Sequence, residues 1–271
     1  MCLLVRPSSN IDRIASLLDR VQVKAVAVAE DCSEILRDFE PDAVVHTACS
    51  YGRRGESPLA VFDANVRLGV ALFDAALTRE DRTIFINTGT VLAAEVSLYA
   101  LSKTQFSQWG LALAREQPDR LQFIDVRLQQ MYGPGDDCSK FTTQVIEACR
   151  TGKARLSLTA GEQRRDFIHI HDVVCAYDHI LHGHRDFAAS DTIEVGSGTA
   201  VSMREFVELV HRLTDATTTL DFGAVPYRTA EAMLCVADTA RLRSLGWTPR
   251  FDLEAGIGQI LADTGRNATD A

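Results

Sequence analysis

Glycine is missing from the opening of this 271-residue chain, where the first one is Gly52. A glycine-rich turn, whose bare backbone lets a phosphate reach a helix N-terminus, is therefore absent from the first segment. There is no C-x-x-C pair either, and the seven cysteines, at 2, 32, 49, 138, 149, 175 and 235, are odd in number and dispersed. Such a set excludes a disulfide frame and a cysteine zinc site, and reads as reduced thiols in a cytoplasmic protein. His179, His182 and His184 lie close together without the cysteine or carboxylate spacing of a metal site, so they read as a polar helix end. No apolar run approaches the length of a membrane span. Met1 to Val5 is too short for a signal-peptide core and is followed at once by Arg6-Pro7. Net positive charge is lacking too: the formal charge of -9 argues against general nucleic-acid binding, which needs a basic face. Any anionic ligand must then be met by a local cluster of Arg, Lys or backbone N–H groups.

What is present is an ordinary globular balance. With 46% hydrophobic and 24% charged residues, the chain can bury a sizeable core in one large or two closely joined domains. Apolar runs alternate with amphipathic stretches. Strands are predicted at Cys2–Val5, Val23–Ala27, Ala43–His46, Thr83–Ile86, Leu121–Arg127 and Thr192–Val195. Helices are predicted at Ser33–Phe39, Pro58–Ala76, Leu98–Arg115 and Phe141–Thr151. This alternation implies an α/β fold, a doubly wound parallel sheet with helices on both faces. After Tyr132-Gly133-Pro134-Gly135 the pattern loses regularity, which suggests a second, smaller mixed lobe.

Tyr99-Ala100-Leu101-Ser102-Lys103 lies inside a predicted helix. Positions i and i+4 share a face, so phenol and ammonium would sit side by side. A free phenol, with a pKa near ~10, holds its proton too tightly to exchange it quickly at neutral pH. An ammonium roughly 6 Å away, at an effective dielectric near 20, favours the phenolate by about 3 kcal/mol, or roughly 2 pK units. Tyr99 would then approach the range in which acid–base catalysis works best. Alone, the pattern also fits a helix with one solvated lysine and one half-buried tyrosine.

Upstream, the apolar strand Arg82-Thr83-Ile84-Phe85-Ile86-Asn87 ends in Thr88-Gly89-Thr90. Ligands of open α/β sheets bind at the carboxyl ends of strands, so Thr88 would sit where a substrate oxygen could lie, one short loop from Tyr99. Val44-Val45-His46-Thr47-Ala48 has the small residues that let a cofactor approach the backbone. The first strand ends in Arg6, followed by Ser8 and Ser9. In a dinucleotide fold an acidic residue near this point holds the adenosine ribose, whereas Arg suits a 2′-phosphate, so NADP(H) is favoured over NAD(H).

Taken in order, these pieces resemble the extended short-chain dehydrogenase/reductases, the NAD-dependent epimerase/dehydratase family. The likeness adds Asn65-Val66, Arg127-Leu128-Gln129-Gln130-Met131-Tyr132-Gly133-Pro134-Gly135, Arg165-Asp166-Phe167-Ile168-His169, Glu194-Val195-Gly196-Ser197-Gly198 and Leu245-Gly246-Trp247-Thr248-Pro249. Met131 to Phe141 and Gln105 to Gly110 look most like the CDP-abequose and CDP-paratose synthase branch, reductases of CDP-4-keto-3,6-dideoxyhexoses that feed bacterial surface polysaccharides.

The resemblance implies roles at matching positions. Thr88 would hydrogen-bond the reacting sugar oxygen, Tyr99 would give or take the proton, and Lys103 would hold the nicotinamide ribose. Arg6, Ser8, Ser9, Asp31, His46, Ala48 and Asn65 join Lys103 as the cofactor set. Gln129, Lys140, Phe141, Arg165 and Arg228 form the substrate set, the two arginines gripping the diphosphate of a nucleotide sugar. Dehydratases of the family carry Asp-Glu straight after the catalytic Thr; Gly89-Thr90 stands here, so elimination of water is not expected. Reduction of a keto-sugar is favoured, with 4-epimerisation as the alternative. The implied domains are 1–131 with about 172–198 for the dinucleotide, and 132–171 with 199–271 for the nucleotide sugar. A homodimer through the Tyr99 helix and the preceding long helix would also resemble the family.

One departure stands out. The family opens with a strand and a Gly-x-x-Gly-x-x-Gly turn, and Arg6 sits where its second strand ends. About one strand and one helix, roughly 25 to 35 residues, are therefore expected in front of Met1. A start codon placed too late, a truncated chain, a decayed gene, or a sugar-nucleotide or partner-binding protein without redox turnover would each account for this.

Overall fold

The computed structural model describes residues 1–228 and 231–269. Its elements run β1 (Cys2–Val5), β2 (Gln22–Ala25), α1 (Asp31–Phe39), β3 (Ala43–His46), α2 (Pro58–Phe62), α3 (Leu68–Leu77), β4 (Thr83–Thr88), α4 (Leu98–Glu116) and β5 (Leu121–Leu128). They continue with β6 (Gln130–Tyr132), α5 (Phe141–Arg150), β7 (Arg155–Leu158), β8 (Arg164–His169), α6 (Ile170–His182), β9 (Ser190–Val195), β10 (Ala200–Ser202), α7 (Met203–Leu213), β11 (Thr219–Phe222), β12 (Leu234–Cys235), α8 (Ala240–Ser244) and α9 (Leu253–Thr269). The chain divides into two compact units: residues 1–126 with 185–192, and residues 127–184 with the chain from Ile193 onward.

In the first unit, β3, β4 and β5 are hydrogen-bonded in parallel, with Val45 opposite Ile86 and Thr88 opposite Val126. The four-stranded sheet has the order β3-β4-β5-β9, while β1 and β2 form a separate parallel pair. Both faces of β4 and β5 are covered, so these strands read as continuous apolar runs rather than as an alternation. This is the expected α/β, Rossmann-like architecture of parallel strands joined by helices.

The core that carries the strand ends is aromatic. Phe73 of α3 stacks on Phe106 of α4 at 5.0 Å and meets Phe123 of β5 edge-on at 5.6 Å. Gly69 and Gly110 make this possible: a Cβ on Gly69 would stand 2.2 Å from the Phe106 ring, and one on Gly110 2.3 Å from that of Phe123. Each buried phenylalanine contributes about 1.5–3 kcal/mol through burial alone. Helix α4 begins at Ser97, whose hydroxyl caps the Ala100 N–H at 3.2 Å, and its buried face runs Ala100, Ser102, Lys103, Phe106, Ser107, Gly110 and Ala114. Lys103 thus belongs to the core-facing stripe and not to solvent. The predicted helix Pro58–Ala76 forms as α2, a π turn over Asp63–Arg67, and α3. The π turn puts Asn65 and Val66 on the buried side.

The second unit has its own core around Tyr132, Phe167, Phe206, Val207 and Ile257. Buried carboxylates tie its loops. Asp166 accepts from Ser197 N at 2.7 Å, Ser197 Oγ at 2.6 Å, Gly198 N at 2.9 Å and Ala237 N at 3.1 Å. Asp172 accepts from Arg250 N at 2.9 Å and Phe251 N at 3.0 Å, and its carbonyl receives the indole N–H of Trp247 at 3.2 Å. The motifs Arg165-Asp166-Phe167, Glu194 to Gly198 and Leu245 to Pro249 therefore meet at two carboxylate hubs. His179 and His182 lie in the last turn of α6, each Nδ1 bonded to a carbonyl four residues back at 2.9 Å, so the expected polar helix end is found.

Candidate active site

Helix α4 carries Tyr99 and Lys103, the loop after β3 brings Cys49 and Tyr51 beside them, and Thr90 reaches Tyr99 from just beyond β4, which ends at Thr88. Asn65 holds the loop after β3 in place. Its Oδ1 accepts from Ser50 N at 2.6 Å, and its Nδ2 donates to Ser50 O at 2.9 Å and to Ser102 Oγ at 2.9 Å. The Ser102 hydroxyl in turn donates to the carbonyl of Tyr99 at 2.9 Å. One fully buried amide therefore fixes both the loop and the first turns of the helix that bears the tyrosine.

Tyr99 is half-buried, and its ring lies beside that of Tyr51, over which Arg53 is placed at 5.1 Å. Burial pushes its phenol well above the ordinary value; Tyr51 and Cys49 push the same way, while a side-chain hydrogen bond with Thr90 and the charge of Arg53 pull it down. This corrects the expectation that Lys103 depresses the phenol. Lys103 is 1% exposed, its own pKa is lowered by burial, and Cys49 and Asp125 are the groups that favour its charge. Desolvation dominates at both groups, and neither is among the groups acting on the other.

Beneath Thr88 lies a buried polar chain. Asn87 Nδ2 donates to Asp125 Oδ1 at 2.7 Å, which also accepts from the Ser107 hydroxyl at 2.7 Å. Asn87 Oδ1 can only accept, so the contact at 3.2 Å requires the proton on Nδ1 of His46. Nε2 of His46 is then a buried acceptor with no hydrogen-bond partner. Burial first, and the nearby charge of Lys103 second, push this imidazole down to about 4, so it stays neutral.

The remaining cofactor candidates sit around the strand ends of the first unit. Arg6 and Ser8 are exposed after β1; Ser9 Oγ accepts from Arg6 N at 3.2 Å and shapes the turn. Asp31 opens α1 and accepts from Ala27 N at 2.8 Å and Val28 N at 3.1 Å, so its carboxylate orders the loop after β2. Ala48 is exposed beyond β3. In the second unit, Gln129 is 8% exposed, Lys140 pairs with Asp136 at 2.8 Å, and Phe141 packs against Phe206 at 6.2 Å. Arg165 pairs with Glu231, and exposed Arg228 accepts from Glu231 N through its carbonyl at 3.2 Å.

The NAD dependent epimerase/dehydratase family matches residues 6–196 of this chain. The chain belongs to that family. Among its relatives, CDP-abequose synthase of Salmonella typhimurium is 32% identical over 227 residues, covering 80% of this chain and 75% of the relative. UDP-glucose 4-epimerase of Thermotoga maritima, solved with UDP-glucose, superposes with a TM-score of 0.81 at 18% identity, covering 99% of this chain and 91% of that one. RMD of Pseudomonas aeruginosa, solved with NADPH, gives 0.74 at 20% identity, covering 98% and 97%.

For a member of this epimerase/dehydratase family, buried donors of this kind are chemically compatible with an NAD(P) cofactor. Lys103 offers three N–H donors from a buried stem, and no side-chain hydrogen bond occupies its ammonium among the described residues. The sequence did not reveal Thr90, Tyr51, Asn87, Ser107 or Asp125 as parts of this site. Only the position of Thr90 in the hydroxyl cluster after β4 was a signal; the others arrive from elements far apart in the chain.

Proposed function

We propose that this chain reduces the 4-keto group of a CDP-linked deoxyhexose, drawing on NADPH, in bacterial surface polysaccharide synthesis. Bound NADPH would supply the hydride. Tyr99 gives a proton to the sugar oxygen as it becomes an alkoxide, and Thr88 donates a hydrogen bond to that oxygen while its charge grows. Lys103 holds the nicotinamide ribose. Arg165 and Arg228 grip the diphosphate, with Gln129, Lys140 and Phe141 beside the sugar. The first unit takes the dinucleotide and the second the nucleotide sugar. NADPH rather than NADH is favoured by Arg6, Ser8 and Ser9 after β1, and His46, Ala48, Asn65 and Asp31 complete that set.

The observation that carries this reading is Thr88 followed by Gly89-Thr90 in front of Tyr99 and Lys103, a proton donor with no acid pair after the threonine. The similarity to CDP-abequose synthase supports the CDP-sugar. The scattered free cysteines support a cytoplasmic setting, and exposed Leu98, Leu101 and Trp109 on α4 support a homodimer through that helix. Incubation with NADPH and a CDP-4-keto-deoxyhexose, followed by the loss of NADPH absorbance, tests the proposal. Absence of NADPH consumption with interconversion of 4-epimers would favour the epimerase reading, and binding without turnover would favour a sugar-nucleotide-binding protein.

A further inference from the structure

Gly52-Arg53-Arg54-Gly55 holds the first glycines of this chain, and no step of the proposed reaction uses the segment. Both glycines have positive φ, 65° and 83°, so the main chain bends sharply on either side of the two arginines. The segment follows Tyr51, whose ring lies 4.8 Å from that of Tyr99. What it carries is therefore presented beside the proposed proton donor.

The bend is tied down by its own polar groups. Asn65 holds Ser50 by both backbone groups at the start. The Ser50 hydroxyl donates to Glu56 Oε1 at 3.2 Å and accepts from Gly52 N at 3.4 Å, while Glu56 Oε2 accepts from Arg54 N at 2.7 Å. A Cβ on Gly52 would stand 3.2 Å from Cγ2 of Val61, so the main chain lies close against α2. Glu56 is the one acid between Cys49 and Ser57, and its carboxylate is committed to this frame.

Arg53 is the side chain that the frame leaves uncommitted. It is exposed, its guanidinium stands 5.1 Å over the ring of Tyr51, and it pairs with no carboxylate among the described residues. A cation resting on an aromatic ring gives up part of its rotamer freedom before any ligand arrives. The chain has a net charge of -9, so an anionic ligand that reaches this site needs a local cation of this kind.

We infer that Arg53 is a phosphate contact of the candidate site, its guanidinium taking oxygens of the diphosphate linkage of a nucleotide ligand bound beside Tyr99. A fork of N–H donors matches phosphate oxygens, and a side chain held ahead of binding loses less freedom on contact. Both ligands of the proposed reaction, the dinucleotide and the nucleotide sugar, contain this linkage, so the test has an arm for each. The inference rests on the proposed function for that choice of ligands.

Calorimetry on the wild type, Arg53→Gln and Arg115→Gln measures the binding of NADPH, NADH and CDP. Arg115 is exposed in the last turn of α4, at the end away from Tyr99, and controls for the loss of one positive charge. Arg53→Gln is expected to weaken either both dinucleotides or CDP by about ten-fold, the size of one exposed charge-assisted hydrogen bond. The ligand that weakens is the one whose diphosphate Arg53 meets. Arg115→Gln should stay within about two-fold of the wild type, because salt screens a distant surface charge. Because Arg53 is exposed, its variant keeps the fold, and a denaturant midpoint verifies this. Unchanged affinities in every arm overturn the inference, as does an equal loss in Arg115→Gln or a wild type that binds none of the three. A loss confined to NADPH also overturns it, since NADH shares the diphosphate and lacks only the 2′-phosphate. Failure of the proposed function shows separately, as unconsumed NADPH in the presence of the keto-sugar, whatever these affinities are.

Discussion

The ring of Tyr51 lies 4.8 Å from that of Tyr99, tilted by 35°. Two phenols this close disfavour one another's ionisation, and Tyr51 is the largest contributor after burial to the raised pKa of Tyr99. Arg53, over the outer face of Tyr51, works in the opposite sense. Burial raises the phenol most, and the groups that act on it next, Tyr51 and Cys49, lie on the loop after β3.

Replacing Tyr51 by Phe keeps the ring contact and removes the competing phenol. The pH at which Tyr99 ionises, followed by phenolate absorbance and assigned by Tyr99→Phe, is expected to fall. Arg53→Gln should raise it. Unmoved midpoints in both variants would show that this loop does not tune Tyr99.

Tyr99→Phe should lower turnover on the proposed substrate by about 10²–10⁴-fold, the usual contribution of a positioned acid, while leaving NADPH binding within a few-fold of wild type. Steady-state rates and calorimetry separate the two effects. Retained turnover would remove Tyr99 from the reaction.

His46 makes stability depend on pH. The unfolded chain takes up a proton on this residue below about pH 6.5, whereas the folded chain does so only near 4. A lowered histidine pKa means that stability is complete above the unfolded value and declines as pH falls through the interval from 6.5 to 4. The full loss is about 3 kcal/mol. Urea unfolding at several pH values should show it, and His46→Gln should flatten that part of the profile.

Asn65→Ala should cost about 2–4 kcal/mol, because it strips the backbone N–H and C=O of Ser50 and the Ser102 hydroxyl of their common partner. Denaturant midpoints measure this. A loss below about 0.5 kcal/mol, the range of ordinary surface changes, would mean that the loop is held by something else.

Gly69→Ala and Gly110→Ala each drive a methyl group into a phenylalanine ring, at 2.2 and 2.3 Å respectively. Overpacking of this kind costs about 1–3 kcal/mol, visible as a lower Tm. Gly152→Ala, where nothing lies within 4 Å, isolates the backbone cost, since its φ is 66°.

Much of this was legible in the chain because it is local. Periodicity located the strands Cys2–Val5 and Ala43–His46 as they are found, and it located the helix that carries Tyr99 and Lys103. The i, i+4 spacing of that pair needs no tertiary information. Strand β4, expected to end at Ile86, continues through Asn87 and Thr88, since polar residues can extend a strand when the neighbouring strand offers them partners. Asp125 read as one more position of a buried strand. Its meeting with Asn87, 38 residues away, and with Ser107, 18 residues away, depends on strand register and helix packing, which no local pattern encodes. For the same reason the i, i+4 spacing of Tyr99 and Lys103 could be recognised, yet the burial that raises the phenol could not.

The clamp of Asn65 on Ser50 has a consequence for how such a site diversifies. Both backbone groups of Ser50 are committed, so the course of the loop at that residue is set by Asn65 and not by the side chains on either side of it. Cys49 and Tyr51 flank that fixed point with exposed side chains. A substitution at either alters what is presented beside Tyr99 while the main chain keeps its path. New preferences can therefore arise here one side chain at a time, without the frame having to be rebuilt.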